Sequence, residues 1–262
     1  MKYLIINADD FGWDEDSVNL TIALMRKNIV TSASIMTGMP ATNMAIQYAL
    51  EAQDNQSFGL HFNIVDNHRP LSRPLPYSLL NSNNAFLDSN KQRFKALLLN
   101  CAKHDISREL CAQIDVLAQS GVNISHVDSH GHLHKFPRVV KSMRPAIKRY
   151  AIKHIRIPQN IYPANTKLSK RIWNSIFSRH FKKLPTSDYF FMLEQHNDSN
   201  WLECFLDRLP DGITELGIHP GNKEEWRKFE TAPFLQPNFK SLLKKYQIQL
   251  ISFLQLKGVR HG

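Results

Sequence analysis

The stretch YLIINADDFG, residues 3–12, joins a short apolar run to two adjacent carboxylates. Residues 3–8 are mainly apolar with two β-branched side chains, which predicts a buried strand. Asp9 and Asp10 follow directly, at the point where this strand should end. Because functional groups of α/β barrels lie at the carboxyl ends of the strands, this acidic pair is a candidate site.

Similar apolar runs recur along the chain and alternate with segments of helical periodicity. Val18, Ile22 and Met25 mark one helical face, and a second face is marked by Ile106, Leu110, Ile114 and Leu117. Further strands are predicted at residues 32–37, 57–65, 124–129, 154–157, 188–192, 213–219 and 248–253. This order predicts an α/β fold, a distorted (β/α) barrel with about seven to eight parallel strands. With no linker visible, we expect residues 1–262 to form one domain with a closed barrel, and residues 66–90 to form a long loop over one end.

The composition is that of a folded protein: of 262 residues, 42% are hydrophobic and 21% charged. This excludes a disordered chain, a collagen and a disulfide-rich miniprotein. The three cysteines form no CxxC pair, which favours a reducing compartment and argues against a cysteine-based zinc site. The first residues lack the pattern of a signal peptide, and no apolar stretch approaches the about 18 residues of a membrane span. We therefore expect a cytoplasmic protein without a transmembrane segment.

Positive charge is concentrated in one part of the chain. The net charge is +10, and residues 135–187 contain fourteen Lys and Arg but no Asp or Glu, so the other residues sum to 10 − 14 = −4. Such a segment can attract nucleic acid, an anionic lipid surface or an acidic glycan, or it can simply be a solvated face. No nucleic-acid-binding signature accompanies it, so we predict no sequence-specific nucleic acid partner.

Polar side chains cluster where the predicted strands end. Strand alternation places His61 and Asn63 on one face of the third strand, opposite its apolar residues. The same alternation places His126, Asp128 and His130 on one face of the fourth strand. His132 and His134 follow, and His219 ends the seventh strand. The imidazoles and carboxylates therefore converge on one cavity.

A group of buried imidazoles and carboxylates is costly unless a partner satisfies it, and a divalent cation can do so. Asp10, His61 and His130 would form a set of two imidazoles and one carboxylate with open positions for water. A lone histidine here would be a hydrogen-bonded core residue, but four histidines within nine residues make that interpretation the weaker one. We predict one divalent metal ion, Zn²⁺ or Mg²⁺, as cofactor.

Asp9 and Asp10 also have a simpler interpretation, because an Asp pair after a strand often serves only a turn or a helix cap. Neighbouring residues at the end of a strand point in different directions. If a metal is bound nearby, one carboxylate can therefore bind it while the other accepts a proton from water.

The chain resembles the YdjC-like carbohydrate deacetylases, a family that includes chitooligosaccharide and hopanoid-associated deacetylases. The resemblance is carried by these segments, in this order: LIINADDFG at 4–12, IVTSASIM at 29–36, GLHFNI at 59–64, HVDSHGHLHKFP at 126–137 and IHPG at 218–221. It implies a barrel similar to the glycoside hydrolase and polysaccharide deacetylase barrels. It also implies hydrolytic removal of an acetyl group from a sugar.

The resemblance implies roles for individual residues. Asp9 would be the general base, His219 the general acid, and Asp10, His61 and His130 the metal ligands. Arg156 resembles the arginine that orients the catalytic base in related deacetylases. Family members usually have three consecutive histidines after Asp-Ser, and here Gly131 replaces the middle one. The remaining candidates for supporting or substrate-binding positions are Asp128, His132, His134 and Asn63.

Three other functions compete with deacetylation. A metal-dependent phosphoesterase would use a similar set of Asp and His, a glycoside hydrolase would use Asp9 with a second carboxylate, and a nucleic-acid-binding protein would use residues 135–187. The partner that we expect is an acetylated saccharide, with an anionic or lipid-linked glycan as the form that the basic segment favours. The sequence leaves the exact sugar and the oligomeric state open, a homodimer included.

Overall fold

The computed structural model describes residues 1–163, 166–182, 184–193 and 198–256. Each predicted strand is present in these ranges, and all the strand pairs are parallel. The strands are β1 (Lys2–Phe11), β2 (Ser32–Ile35), β3 (Ser57–Phe62), β4 (Ile124–Ser129), β5 (His154–Ile155), β6 (Tyr189–Met192), β7 (Gly212–Ile218) and β8 (Ile248–Leu250). The prediction of a parallel α/β barrel is confirmed.

Strand β1 lies at the centre of the sheet and is buried from Leu4 to its end. Strand β7 pairs with it along residues 2–8, while β8 pairs with its first part and β2 with its second part. A strand covered on both faces must be apolar throughout, which explains why residues 3–6 show no alternation. The strand thus delivers Asp9 and Asp10 to the middle of the barrel mouth.

Helices cover the outside of the sheet. They are α1 (Glu15–Arg26), α2 (Thr42–Ala52), α3 (Ser89–Leu97), α4 (Lys103–Gln119), α5 (Pro137–Arg149), α6 (Leu168–Ser178), α7 (Trp201–Asp207), α8 (Glu225–Leu235) and α9 (Phe239–Lys245). The predicted apolar face of α4 is fully buried, and on α1 Val18 and Met25 are buried while Ile22 packs at the edge of the core. Asp14 caps α1 by accepting a hydrogen bond from the backbone N–H of Ser17, so this helix begins at Glu15, a short turn after the Asp9–Asp10 pair.

The barrel differs from the prediction in its closure. The strand order β5-β4-β3-β2-β1-β7-β6 leaves β5 and β6 at the two edges of the sheet. Connecting segments bridge the gap, because the N–H of Ile155 donates to Pro185 O at 3.0 Å and that of Asn160 donates to Phe190 O at 3.2 Å. Pro158 has no N–H to donate, which prevents regular pairing beyond β5.

Residues 66–88 form the predicted long loop at the barrel mouth, with one 3₁₀ turn at Tyr77–Leu79. The buried Glu109 of α4 holds this loop, since its carboxylate accepts the backbone N–H groups of Leu71 and Ser72 at 3.0 Å each. Among the described residues, no helix has the length and apolar character needed to cross a bilayer.

The basic segment 135–187 places most of its cations outside the barrel. Helix α5 buries Val139, Val140 and Met143 and exposes the side chains of Lys141, Arg144, Lys148 and Arg149. Arg156 is the exception, with 1% of its surface exposed, because it points into the barrel. Lys183 lies outside the described residues.

Candidate metal and acid–base site

The backbone turns sharply between the two carboxylates at the end of β1. Asp10 adopts a φ of +57°, and the register with β2 shifts between Ala8 and Phe11. A left-handed backbone at a non-glycine residue is uncommon and is held here by the surrounding contacts. As a result, the carboxylates of Asp9 and Asp10 contact different partners although they are adjacent in sequence.

Asp10, His61 and His130 meet at one point of the barrel interior. Asp10 Oδ1 lies 2.8 Å from His130 Nδ1 and 3.2 Å from His61 Nε2. His61 Nδ1 donates to Asp128 Oδ1 at 2.7 Å, as expected for an imidazole oriented by a carboxylate behind it. The structure therefore brings together the three residues predicted as metal ligands, with Asp128 supporting one of them.

The carboxylates make these imidazoles unusually basic. Burial opposes a charged imidazole, but Asp128 raises the pKa of His61 to about 10 and Asp10 raises the pKa of His130 to about 9. Burial likewise opposes ionisation of Asp10, but the charge of His130 holds its pKa well below the ordinary value. This cluster attracts positive charge strongly, whether protons or a metal ion supply it.

The ligand atoms of Asp10, His61 and His130 lie within 4.8 Å of one another, so one cation could contact all three. His61 Nε2 is buried, and its 3.2 Å approach to Asp10 Oδ1 is not a well-aligned hydrogen bond, as expected for an atom available to a metal ion. Two imidazoles with one carboxylate are a donor set that suits Zn²⁺. These residues fit a divalent cation.

A second group, Asp9, His61 and Asp128, also has ligand atoms within 4.8 Å of one another. Its two carboxylates, however, already contact Arg156, whose Nη2 lies 2.7 Å from Asp128 Oδ2. Both oxygens of Asp9 accept from Arg156, whereas Asp10 contacts its own guanidinium partner, Arg227, through Oδ2 alone. Asp10 Oδ1 stays directed at His61 and His130. The geometry therefore favours the set that contains Asp10.

Asp9 is held by two other side chains. Arg156 donates to both of its carboxylate oxygens at 2.6 Å, and Asn7 Nδ2 donates to Oδ1 at 2.8 Å. Arg156 also donates to Glu215 Oε1 at 2.6 Å. One buried guanidinium thus orients Asp9, Asp128 and Glu215, so Arg156 lies where the sequence places it.

Glu215 was not predicted from the sequence. Burial raises its pKa to about 7, against the lowering effect of Arg156. The sequence feature that could have identified Glu215 is its position as a lone acidic residue inside the apolar strand β7. An acidic residue is rarely buried unless it is paired with a cation.

His219 follows the last residue of β7 and is oriented by Glu230 of α8. The register pairs Ala8 with Ile218, so His219 comes next to Asp9. Both its backbone N–H and its Nδ1 lie near Glu230 Oε2, at 2.9 and 3.0 Å. Burial disfavours a charged imidazole here, but the Glu230 carboxylate outweighs this effect and raises the pKa of His219. The arrangement favours the protonated form of this histidine, whose ring centroid lies 5.1 Å from that of Trp226.

A family model described as "YdjC-like protein" matches residues 3–245 of the chain. The chain belongs to the YdjC-like family. The sequence is 31% identical to a carbohydrate deacetylase of Vibrio parahaemolyticus, over 99% of this chain and 92% of the relative. It is 30% identical to the carbohydrate deacetylase of Geobacillus stearothermophilus over 96% of this chain and 97% of that one, and 30% identical to that of Thermoanaerobacter pseudethanolicus over 84% and 81%.

The fold of this YdjC-like chain is also found in a crystal structure from Enterococcus faecalis V583, of a protein provisionally assigned to cellobiose-phosphate cleavage. The two structures superimpose with a TM-score of 0.79, and the comparison covers 97% of this chain and 98% of the other. Their sequences are 20% identical, so this comparison concerns the fold alone.

Three further predicted residues of the YdjC-like chain lie outside the Asp10 cluster. His132 Nε2 contacts Met192 Sδ at 3.1 Å, and His134 Nδ1 contacts Ser129 Oγ at 2.7 Å. Both histidines line a cavity of about 230 Å³ at the barrel mouth. Burial and nearby cations hold the pKa of His132 well below its ordinary value and lower that of His134 to about 3, so both are neutral.

Asn63 has a structural position instead. It follows the last residue of β3, and its side chain accepts the backbone N–H of Val65 at 3.0 Å. Its own backbone is held by Gln113 of α4. Alternation along β3 ends at Phe62, which is why the pattern shared with His61 does not carry Asn63 into the cluster.

Two additional charged residues reach the metal-ligand candidates. Arg227 of α8 donates to Asp10 Oδ2 at 2.7 Å, and its buried Nη1 has no hydrogen-bond partner among the described residues. Asp66 in the long loop lies 3.5 Å from His130 Nε2. Neither residue could be predicted from the sequence to lie at this site, because both belong to segments whose position depends on tertiary packing.

Proposed function

We propose that this protein is a metal-dependent hydrolase that removes acetyl groups from N-acetylated sugars and releases acetate and an amino sugar. The observation that carries the proposal is the convergence of Asp10, His61 and His130 between an oriented carboxylate, Asp9, and an oriented imidazole, His219. Membership of the YdjC-like family, with relatives named carbohydrate deacetylase, supports the choice of reaction and substrate class.

Asp10, His61 and His130 would hold one divalent cation, Zn²⁺ or Mg²⁺. The chemistry that such an ion supplies is a lower pKa for bound water and polarisation of a carbonyl oxygen. Arg227 balances the charge of Asp10 and fixes its second oxygen, while Asp128 fixes the His61 ring. The ligand set is therefore oriented before any ion or substrate arrives.

Asp9 would accept the proton of the attacking water. Its carboxylate plane is fixed by two hydrogen bonds from Arg156, so it needs no reorganisation during the reaction. Arg156 is shared with Asp128 and Glu215, which leaves Asp9 with less than a full neutralising charge. A base with residual negative charge in a buried site suits proton abstraction from water.

His219 would donate a proton to the leaving amine. The Glu230 carboxylate stabilises the charged imidazole, so that the proton is available when the C–N bond breaks. This assignment gives the two proton transfers to two separate residues, Asp9 and His219.

Two tryptophans flank the candidate site and suit a saccharide. The ring of Trp13 stacks on His130 with a centroid distance of 5.8 Å, and Trp226 lies beside His219. Flat indole rings offer large apolar surfaces against which the apolar face of a sugar ring can pack. The exposed cations of α5 would favour a sugar on an anionic or lipid-linked glycan.

The experiment that tests the proposal is incubation of the purified, metal-defined protein with a panel of acetylated saccharides while free acetate is measured. Parallel assays for phosphate release from phosphate esters and for glycosidic cleavage separate deacetylation from the competing reactions. We expect acetate release that depends on added divalent metal and is lost in Asp9→Asn. Phosphate release without acetate would reject the proposal in favour of a phosphoesterase.

A further inference from the structure

Helix α6 turns its large apolar side chains toward solvent, whereas a helix that only packs against a barrel turns them toward the core. Four large apolar side chains face solvent, with exposures of 71% for Leu168, 51% for Ile172, 50% for Trp173 and 39% for Ile176. At 3.6 residues per turn these positions share one side of the helix. The inward side is narrow and contains the buried Asn174 and Phe177. In a water-facing helix the apolar stripe should point to the core.

Cations surround this apolar surface. Lys167, Arg179 and Lys182 are exposed at the two ends of α6. The exposed cations of α5 approach the same end, since Arg144 Nη2 donates to the backbone oxygen of His180 at 2.7 Å. No Asp or Glu occurs anywhere in residues 135–187. The exposed apolar side chains of α6 are therefore flanked by cations, in a segment of the chain that contains no carboxylate side chain.

We propose that the exposed face of α6 is a docking surface for an anionic lipid bilayer. Trp and branched aliphatic side chains on one face, with Lys and Arg beside them, are the composition of helices that lie in the plane of a membrane interface. A protein partner would have to present an acidic patch of matching shape with an apolar centre. A surface with cations alone instead matches the uniformly negative surface of an anionic leaflet.

The inner side of α6 connects this surface to the candidate site. Asn174 Nδ2 donates to Gln159 O at 3.1 Å, and Lys170 and Asn174 line the cavity of about 230 Å³ that also contains His132. The cavity reaches Phe190, whose ring lies 4.7 Å from the Arg156 guanidinium carbon. Only the width of one helix, about 10 Å, separates the docking surface from this cavity. A bilayer bound to α6 would place lipid head groups near the barrel mouth.

Docking is independent of the chemistry proposed above, so it can be measured without substrate. The full-length protein is mixed with vesicles of phosphatidylcholine alone or of phosphatidylcholine with phosphatidylglycerol, and the bound fraction is measured by flotation. We expect binding to the anionic vesicles to be tighter by about tenfold or more, and to weaken as salt is raised. Absence of binding to anionic vesicles at low salt would overturn the proposal.

The double variant Ile172→Glu/Trp173→Glu tests whether the apolar face of α6 is responsible. We expect it to lose vesicle binding while Leu50→Glu, a change at an exposed apolar residue of α2, retains it. Both changes are at the surface, and circular dichroism checks that the fold is kept. Equal vesicle binding by the double variant and the wild type would reject docking through α6.

Fluorescence quenching by brominated lipids reports insertion directly. Wild-type tryptophan fluorescence should be quenched, and Trp173→Phe should remove most of the quenching although the other three tryptophans remain.

Sedimentation tests the alternative that a second copy covers α6. A wild-type dimer that becomes monomeric in the double variant, without vesicle binding by either, would overturn the proposal.

Acetate release from a soluble sugar should be the same in the wild type and in the double variant Ile172→Glu/Trp173→Glu. Vesicle binding by a protein that releases no acetate would reject only the proposed function.

Discussion

Arg156 and Asp9 form a two-point ion pair inside the barrel, with Nη1–Oδ2 and Nη2–Oδ1 distances of 2.6 Å. Both side chains are buried, and they come from strands that are not neighbours in the sheet, since Asp9 lies near the end of the central strand β1 and Arg156 follows the edge strand β5. The same guanidinium contacts Asp128 and Glu215. One cation therefore holds together carboxylates from three strands, and it couples the stability of the barrel to the geometry of the site.

Replacing Arg156 should destabilise the protein. Arg156→Met would leave three buried carboxylates without their cation, and loss of one partner of a buried ion pair typically costs about 3–5 kcal/mol. Urea denaturation followed by circular dichroism measures the free energy of unfolding. Lys148→Met, at an exposed position of α5, is the matched control and should leave that free energy nearly unchanged. An Arg156→Met variant as stable as the wild type would show that the ion pairs of Arg156 make no net contribution to the free energy of unfolding.

The fold was largely predictable because parallel strands buried on both faces have a distinctive apolar pattern. The metal-ligand candidates were predictable for a related reason. His61 and Asp128 are register partners on β3 and β4, so alternation along each strand is enough to place both side chains inside the barrel.

Other parts of the site could not be read from such patterns. Glu230 and Arg227 lie on α8, and which way a helical side chain points depends on how the whole helix packs. Asp66 depends on the path of a long loop. The sheet is open between β5 and β6 because β5 is only two residues long. Strand propensity predicts that a strand forms but does not determine its length.

Removing either imidazole of the candidate metal centre should remove the metal. In His61→Ala or His130→Ala the remaining two ligands cannot retain the ion, and we expect metal affinity to fall by more than the about 10–100-fold typical of supporting residues. Elemental analysis of the dialysed protein measures the bound metal. His104→Ala, at an exposed position of α4, should retain it. Stoichiometric metal in both ligand variants would reject the assignment.

The adjacent carboxylates should respond differently to the same change. Asp9→Asn should keep the metal and lose about 10²–10⁴ of kcat, because the amide oxygen still accepts one of the two hydrogen bonds from Arg156 but the amide cannot take a proton from water. Asp10→Asn should weaken metal binding, because a neutral amide is a poorer ligand than a carboxylate. Metal titrations and initial rates measured on both variants test this prediction. If Asp9→Asn loses the metal and Asp10→Asn keeps it without turnover, the two roles are exchanged.

The alkaline limb of the pH profile should report the pKa of His219. A general acid must be protonated, so activity should fall as the pH rises through this pKa. The groups that raise it are Glu230 from α8 and, at longer range, Asp10 and Asp9 from β1. Glu230→Gln removes the largest of these and should move the alkaline limb to lower pH, with metal content unchanged. A limb that does not move would show that another group donates the proton.

The exposed cations of the basic segment should speed the capture of anionic substrates. The cations of α5 approach those at the end of α6, where Arg144 donates to the backbone oxygen of His180, and a concentrated positive field raises the encounter rate with an oppositely charged ligand. The effect must fade as salt shortens the Debye length from about 10 Å at 0.1 M. We therefore expect kcat/KM for an anionic acetylated saccharide to exceed that for a neutral one at low salt and to approach it at high salt. The double variant Lys141→Gln/Arg144→Gln, which changes no residue of the candidate site, should reduce this salt dependence without altering kcat. If kcat/KM is the same for both substrates at every ionic strength, the cations have no part in substrate capture, and neutral oligosaccharides become the better candidates.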